Sequence, residues 1–220
     1  MKYSGVFFDF DYTLGDATEA IVAGFLYGLH TMGYPIPTRE EIRLTVGLVL
    51  KDGFTALTGE TDEAKREEFT RLYRSICTPA QIATAVLCPG AEELLRTLHG
   101  QGVKLAVVSS KPGPILEKIL ERQGVVHLFD FIIGADAVKK PKPDPAGIYA
   151  ALQATGLAKD QILYCGDTVI DAGAAQNAGV DFCPVLNGTT PAEAFDQWPH
   201  VHLSPTLDDL RAWLIKEDAV

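Results

Sequence analysis

The chain is expected to adopt an α/β fold, a doubly wound parallel sheet carrying an inserted all-helical domain, and three features of the sequence predict it. From Pro89 onward, short apolar runs alternate with helical patterns at the spacing of βαβ units. Near Met1, the apolar run Val6-Phe7-Phe8 ends abruptly in two carboxylates, Asp9 and Asp11. Between these regions, residues 17–83 read as helix after helix with no convincing strand, which marks a separate layer or domain lodged in an alternating pattern. The expected division is residues 1–16 and 84–220 as the α/β core, with 17–83 as a helical cap.

Val6 to Phe8 is a short, continuous apolar run of strand formers, suited to a strand buried on both faces at the centre of a parallel sheet. Ile21, Phe25, Leu29 and Met32 then recur at helical spacing until Gly33-Tyr34-Pro35 stops the pattern. Thr38 with Glu41 three residues on predicts a capping box and a second helix. A third helix is expected near Lys51 to Leu57, and a fourth after Thr61, with Phe69, Leu72, Tyr73 and Ile76 as its stripe. In the core, strands are expected at Val103 to Ser109, Phe131 to Ile133, Ile162 to Cys165 and Asp181 to Leu186. Helices are expected at about Gly90 to His99, Pro114 to Gln123, Pro145 to Ala154, a small-residue segment after the strand ending at Cys165, and Leu207 to Lys216. The pattern is that of a Rossmann-like sheet, in which chemistry sits beyond the carboxyl ends of the strands.

Composition narrows the function. A net charge of −10 over 220 residues argues against a nucleic-acid groove or an anionic membrane surface, since both require basic patches. An anionic small molecule would therefore need a local cationic site. No signal peptide and no membrane-length apolar run is visible. Cys77, Cys88, Cys165 and Cys183 lack C-x-x-C or zinc-ligand spacing, so reduced thiols and a cytoplasmic location are expected.

Four segments carry chemistry. Asp9 and Asp11 are two residues apart, so continued strand geometry projects them to one side, where two like charges resist joint ionisation without a cation or a shared proton. The plainer alternative is one turn-forming and one solvated aspartate. Ser109 and Ser110 stand where an apolar strand turns toward a helix, a natural cradle for an oxyanion or phosphate, although such a serine also serves simply as a turn residue. In Lys139-Lys140-Pro141-Lys142-Pro143-Asp144-Pro145, prolines keep the loop extended and can aim a lysine, while Asp144 and Pro145 also suit the start of a helix. Finally, Gly166-Asp167-Thr168-Val169-Ile170-Asp171 puts Asp167 at another strand end, and Thr168-x-x-Asp171 doubles as a capping-box pattern.

Taken in order, Asp9-x-Asp11-x-Thr13-Leu14-x-Asp16, Ser109, the lysine-proline loop and Gly166-Asp167-x-x-x-Asp171 resemble the four motifs of the haloacid dehalogenase (HAD) superfamily, especially its phosphoglycolate-phosphatase-like phosphatases. The resemblance implies hydrolysis of a small phosphate monoester, phosphoglycolate-like or a sugar phosphate, with Mg²⁺ as cofactor. It implies that Asp9 attacks phosphorus and forms an aspartyl-phosphate, and that Asp11 first protonates the leaving alcohol and then activates water. Asp9, Asp167 and the Asp11 backbone carbonyl would ligate the metal, with Asp171 nearby or acting through water. Ser109 and Ser110 would hold phosphoryl oxygens together with Lys140, the lysine matched to the family pattern K-P-x-P, and Thr13 would orient the first loop.

The sequence departs from the family at Tyr12, where many relatives carry glycine, and at Ala17, where serine is common. Substrate choice is expected to reside in the helical cap, with Tyr12 as a bulky wall at the entrance and Lys51 as a candidate contact for the leaving group. A dehalogenase is disfavoured because it lacks the aspartate that Asp11 provides. A β-phosphoglucomutase-like transfer ranks below hydrolysis because Ala20 and Ile21 stand where a histidine would be needed. A phospho-accepting receiver-like module is opposed by the helical insertion and by G-D-x-x-x-D. The expected partner is a small phosphorylated metabolite, with monomer and homodimer both open. His200 and His202 would share one face of a strand, and Trp198 is expected to pack beneath the last helix.

Overall fold

A computed structural model describes residues 2–216; Met1 and residues 217–220 of the expected core lie outside the described residues. The chain divides into two compact units, Met1–Asp16 with Leu87–Val220 and Ala17–Val86. The second boundary falls three residues beyond the expected one because the last helix of the insertion runs on to Thr84.

The larger unit is built on five parallel strands, β1 (Gly5–Phe8), β4 (Lys104–Val108), β5 (Phe131–Ile133), β6 (Ile162–Gly166) and β7 (Asp181–Pro184), in the order β5-β4-β1-β6-β7. Every residue of β1 is buried, as its continuous apolar run requires of a central strand. Two short strands that hydrophobic patterning misses, β2 (Gly15–Asp16) and β3 (Val86–Leu87), pair with each other. They are too short to establish an alternating pattern.

Five helices accompany the sheet: α5 (Ala91–Gly100), α6 (Gly113–Arg122), α7 (Ala146–Thr155), α8 (Val169–Ala178) and α9 (Leu207–Lys216). On one face, Phe7, Ala106, Val108, Tyr164 and Phe182 pack with α7 and α8 in a continuous core. Because side chains alternate along a strand, Asp9 continues the Phe7 side. Helix α8 can lie close because it is made of small residues: Ala172, Ala174, Ala175 and Ala178 are all buried. A Cβ on Gly173 would come within 3.0 Å of Pro143 and 3.5 Å of the Trp198 ring. Trp198 thus packs on α8, and it is Trp213 of α9 that stacks on His202. His200 and His202 lie outside any strand, and His202 pairs with Asp209 at 2.7 Å.

The smaller unit holds α1 (Thr18–Met32), α2 (Arg39–Arg43), α3 (Leu50–Thr58) and α4 (Glu63–Thr84). Its core is aromatic: Phe54 stacks on Phe69 at 4.4 Å, and Phe25 lies 5.2 Å from both Phe69 and Tyr73. Gly33 ends α1 in the left-handed conformation, and the expected Thr38–Glu41 capping box is formed. The N-cap of α4 is Asp62 instead of Thr61, its carboxylate accepting from the Lys65 N–H at 3.0 Å. No described helix is long and apolar enough to cross a membrane.

Candidate active site

The order β5-β4-β1-β6-β7 creates a switch point between β1 and β6, because the chain leaves these neighbours toward opposite edges of the sheet. Asp9 follows β1 and Asp167 follows β6 there, and the Asp9 N–H bonds the Cys165 carbonyl at 2.9 Å, extending the ladder. The loop beyond β1 closes on a single acceptor, since the N–H groups of Thr13, Leu14 and Gly15 all donate to the Phe10 carbonyl. Tyr12 takes a left-handed conformation in this loop, φ 57°, which favours glycine and explains why glycine suits the position. The residue is only 4% exposed, so its ring is packed against its neighbours.

Carboxylate oxygens of Asp9, Asp167 and Asp171 all lie within 4.8 Å of one another, and all three residues are buried. Their surroundings separate their roles. Asp171 is saturated: Oδ1 accepts from Lys142 Nζ at 2.6 Å and the Tyr164 hydroxyl at 3.0 Å, while Oδ2 accepts from the Thr168 N–H at 3.1 Å and hydroxyl at 2.6 Å. Thr168, not Asp167, is the N-cap of α8, with Asp171 completing the capping box. Gly166 is required next to it, because a Cβ would stand 2.4 Å from Asp171 Cγ.

Asp167 is thereby free for other work. The Thr13 hydroxyl donates to its Oδ1 at 3.3 Å, and the Asn187 amide donates to the Thr13 carbonyl at 3.3 Å. The loop after β7 presses on the same carboxylate, where a Cβ on Gly188 would come within 2.1 Å of Asp167 Oδ2. Asn187 and Gly188 carry no motif signal, and their place in the site comes only from the return of β7 beside β6.

The lysine at the cluster is Lys142. Its ammonium lies 3.0 Å from Asp9 Oδ1 and 2.6 Å from Asp171 Oδ1, with the side chain 7% exposed. The expected Lys140 is 76% exposed and pairs with Asp144 at 3.8 Å. The correction follows from where the loop is pinned: the Asn177 amide donates to the Pro143 carbonyl at 2.9 Å, and Asp144 accepts from the Ala146 N–H at 3.0 Å at the start of α7. These anchors aim the residue before Pro143 inward. Lys142-Pro143-Asp144-Pro145 is itself a K-P-x-P match, two residues after the one beginning at Lys140.

Lys111 is a second buried cation that sequence reasoning missed. Its Nζ lies 3.1 Å from Asp11 Oδ2, and its backbone N–H donates to the Ser109 hydroxyl oxygen at 3.3 Å. The signal was its place two residues after Ser109, at the start of the turn. Ser109 is buried and Ser110 half-buried beside Lys142 around a small cavity of about 20 Å³. Lys51, by contrast, pairs with Glu63 and, at 3.5 Å, with Glu67 inside the helical unit. That ion-pair network engages the ammonium within the helical unit.

The electrostatics favour a cation. Burial pushes the Asp9 carboxyl up to about 6; Lys142 opposes the shift while Asp171 and Asp11 add to it. Burial, Asp171 and Asp9 together raise Asp167 well above the carboxylate range. Burial works against the charge on Lys142, but Asp171 and Asp9 outweigh it and hold the ammonium above the usual lysine range. Asp9 Oδ1 faces only the Lys142 ammonium, at 3.0 Å, and Asp11 Oδ1 is buried without a hydrogen-bond donor. Hard oxygen donors, two of them carboxylates crowded by like charge, suit Mg²⁺, which is held through a few carboxylates, waters and phosphate oxygens. Asp9 and Asp167 fit as ligands, whereas Asp171 has no lone pair to spare.

Comparisons with known proteins agree with this geometry. A family model described as haloacid dehalogenase-like hydrolase matches residues 6–185. A phosphoglycolate phosphatase of Cereibacter sphaeroides is 34% identical over 214 residues, covering 94% of this chain and 95% of the relative. A Clostridium perfringens chain assigned as a pyrophosphatase is 30% identical over 188 residues, covering 86% of each. Among solved structures, a Bacteroides fragilis protein assigned to the haloacid dehalogenase-like hydrolases superimposes with a TM-score of 0.92 at 35% identity, covering 95% of this chain and all of the other.

Proposed function

Because the chain belongs to the haloacid dehalogenase-like hydrolases, we propose that it is a Mg²⁺-dependent phosphatase that cleaves a small phosphate monoester through an aspartyl-phosphate on Asp9. The observation that carries this reading is the Asp9 carboxylate, buried at the switch point with Lys142 at 3.0 Å and Asp167 within 4.8 Å. Phosphoryl transfer needs little beyond a positioned nucleophile and neutralised charge, and this is what the cluster supplies.

In the first step an Asp9 oxygen bonds to phosphorus as the bond from phosphorus to the leaving alcohol breaks, and Asp11 delivers its proton to that alcohol. Lys111 occupies Asp11 Oδ2, so Oδ1, which has no donor, is the oxygen free to exchange a proton. In the second step Asp11 takes a proton from water, the water oxygen bonds to phosphorus, and the acyl-phosphate breaks to give orthophosphate and free Asp9. Lys142 and Ser109 hold phosphoryl oxygens, and Thr13 steadies Asp167. Mg²⁺, held by Asp9, Asp167 and the Asp11 backbone carbonyl, would neutralise phosphate charge. The relatives' names place phosphoglycolate and pyrophosphate among the compounds to test. The four free, buried cysteines suit a reducing cytoplasm.

The test is release of orthophosphate from a panel of small esters, including phosphoglycolate, sugar phosphates and p-nitrophenyl phosphate, and from pyrophosphate, with and without Mg²⁺. We expect Mg²⁺-dependent multiple turnover that Asp9→Asn abolishes. Stoichiometric self-phosphorylation without turnover would favour the receiver-like module, and transfer to a sugar phosphate faster than to water would favour a mutase.

A further inference from the structure

Tyr164 lies on β6, three residues before Asp167, with its side chain fully buried. Its ring packs in the core 6.2 Å from Phe182. A phenylalanine would fill the same space without a hydroxyl to desolvate, and a buried hydroxyl is costly unless it is used. This one is used three times. It lies 3.3 Å from Lys142 Nζ, 3.0 Å from Asp171 Oδ1 and 3.1 Å from the Val108 carbonyl. A phenol has one proton to give, so it accepts from the ammonium and shares that proton between Asp171 Oδ1 and the Val108 carbonyl.

Both ends of that junction lead to groups that would hold phosphate. Lys142 has three N–H bonds to place, and its neighbours are Asp9, Asp171 and Tyr164. Asp9 is the group that changes during the reaction, because its carboxylate becomes an acyl-phosphate and gives up its charge. Asp171 and Tyr164 do not change, so they fix the ammonium through both steps. Val108 is the last residue of β4 and is followed directly by Ser109.

We propose that Tyr164 is a positioning residue: its hydroxyl ties Lys142 and Asp171 to the end of β4, setting the ammonium and the Ser109 hydroxyl at a fixed separation around one phosphoryl group. The proposal rests on the phosphatase reading given above. No motif includes Tyr164, and its neighbours in sequence give no sign of a polar role.

Tyr164→Phe removes one oxygen and leaves the ring. The experiment compares it with wild type in kcat/KM for p-nitrophenyl phosphate, in the inhibition constant of orthovanadate, in the thermal shift orthovanadate produces with Mg²⁺, and in melting temperature without ligand. We expect kcat/KM to fall about tenfold, within the range for outer-sphere partners, orthovanadate to bind at least fivefold more weakly, and the ligand-free melting temperature to move by only a few degrees. A Lys142→Met background supplies the decisive arm, because a hydroxyl acting through Lys142 should cost almost nothing once the ammonium is gone. Wild-type behaviour of Tyr164→Phe within twofold in both kcat/KM and orthovanadate binding overturns the proposal, as does full additivity with Lys142→Met. If Lys142→Met does not fold, the orthovanadate comparison decides alone. An inactive wild type whose orthovanadate shift is lost in Tyr164→Phe would overturn the phosphatase reading and keep the positioning role. A wild type that neither turns over nor binds orthovanadate would remove both.

Discussion

Asp9→Asn separates the two properties of the buried nucleophile, because it should abolish turnover and at the same time stabilise the metal-free protein. The carboxyl stands at about 6 in the fold against 3.8 in an exposed chain, with burial the largest cause. Between these values the folded chain keeps a proton that the unfolded chain has already released. Metal-free stability therefore falls as pH rises through the window from about 4 to about 6, and the loss persists above it. At about 1.4 kcal/mol per pH unit the difference is of the order of 3 kcal/mol, already net of the attraction to Lys142. An amide has no such penalty, and in a chain of this size each kcal/mol corresponds to roughly 2–4 °C. Asp9→Asn should therefore melt at least about 5 °C above wild type at pH 7.5 in EDTA, should show little difference near pH 4, and should release no phosphate in the steady state. The assay is thermal unfolding across pH with and without EDTA, paired with phosphate release. Equal or lower stability at pH 7.5 would refute the burial argument, and turnover near the wild-type rate would refute the nucleophile.

Three further outcomes follow from the same cluster. Lys142→Met should lower kcat/KM by about 10²–10³, as the loss of a buried charge aimed at the transition state does, while Lys140→Met should stay within twofold; steady-state kinetics of both variants check the assignment. Gly188→Ala puts a Cβ 2.1 Å from Asp167 Oδ2, where ordinary contact begins at 3.4 Å, so the carboxylate or the loop must move by about 1 Å. Mg²⁺ affinity measured by calorimetry should then weaken about 10–100-fold. Because Asp9 takes up a proton below about 6, protons compete with the metal there, and the apparent Mg²⁺ affinity should fall toward tenfold per pH unit on further acidification.

What could be read from the sequence was what local chemistry fixes. The apolar run of β1 and its aspartates, the Thr38 capping box and the small-residue helix α8 each announce themselves within a few residues, and the structure forms each of them. Contacts made by chain return do not. Gly188 reaches Asp167 because β7 lies beside β6, and Lys111 meets Asp11 because β4 lies beside β1. Neither proximity has a local signature, because the pairing that creates it joins residues far apart in sequence.

The lysine shows most clearly where a motif stops being a structural statement. Lys140-Pro141-Lys142-Pro143 and Lys142-Pro143-Asp144-Pro145 satisfy the same four-residue pattern, so the pattern alone leaves two lysines. What separates them lies downstream, where Asp144 accepts from the Ala146 N–H and α7 begins at Ala146. Once Asp144 is committed to that helix start, Lys142 stands two residues before it, and Asn177 of α8 holds Pro143 in place. Lys140 is two residues further from the anchor and reaches solvent. The second lysine-proline match, the one that ends in a helix-starting Asp-Pro, is therefore the one whose ammonium reaches Asp9, and the helix start in the sequence carries the information that the motif lacks.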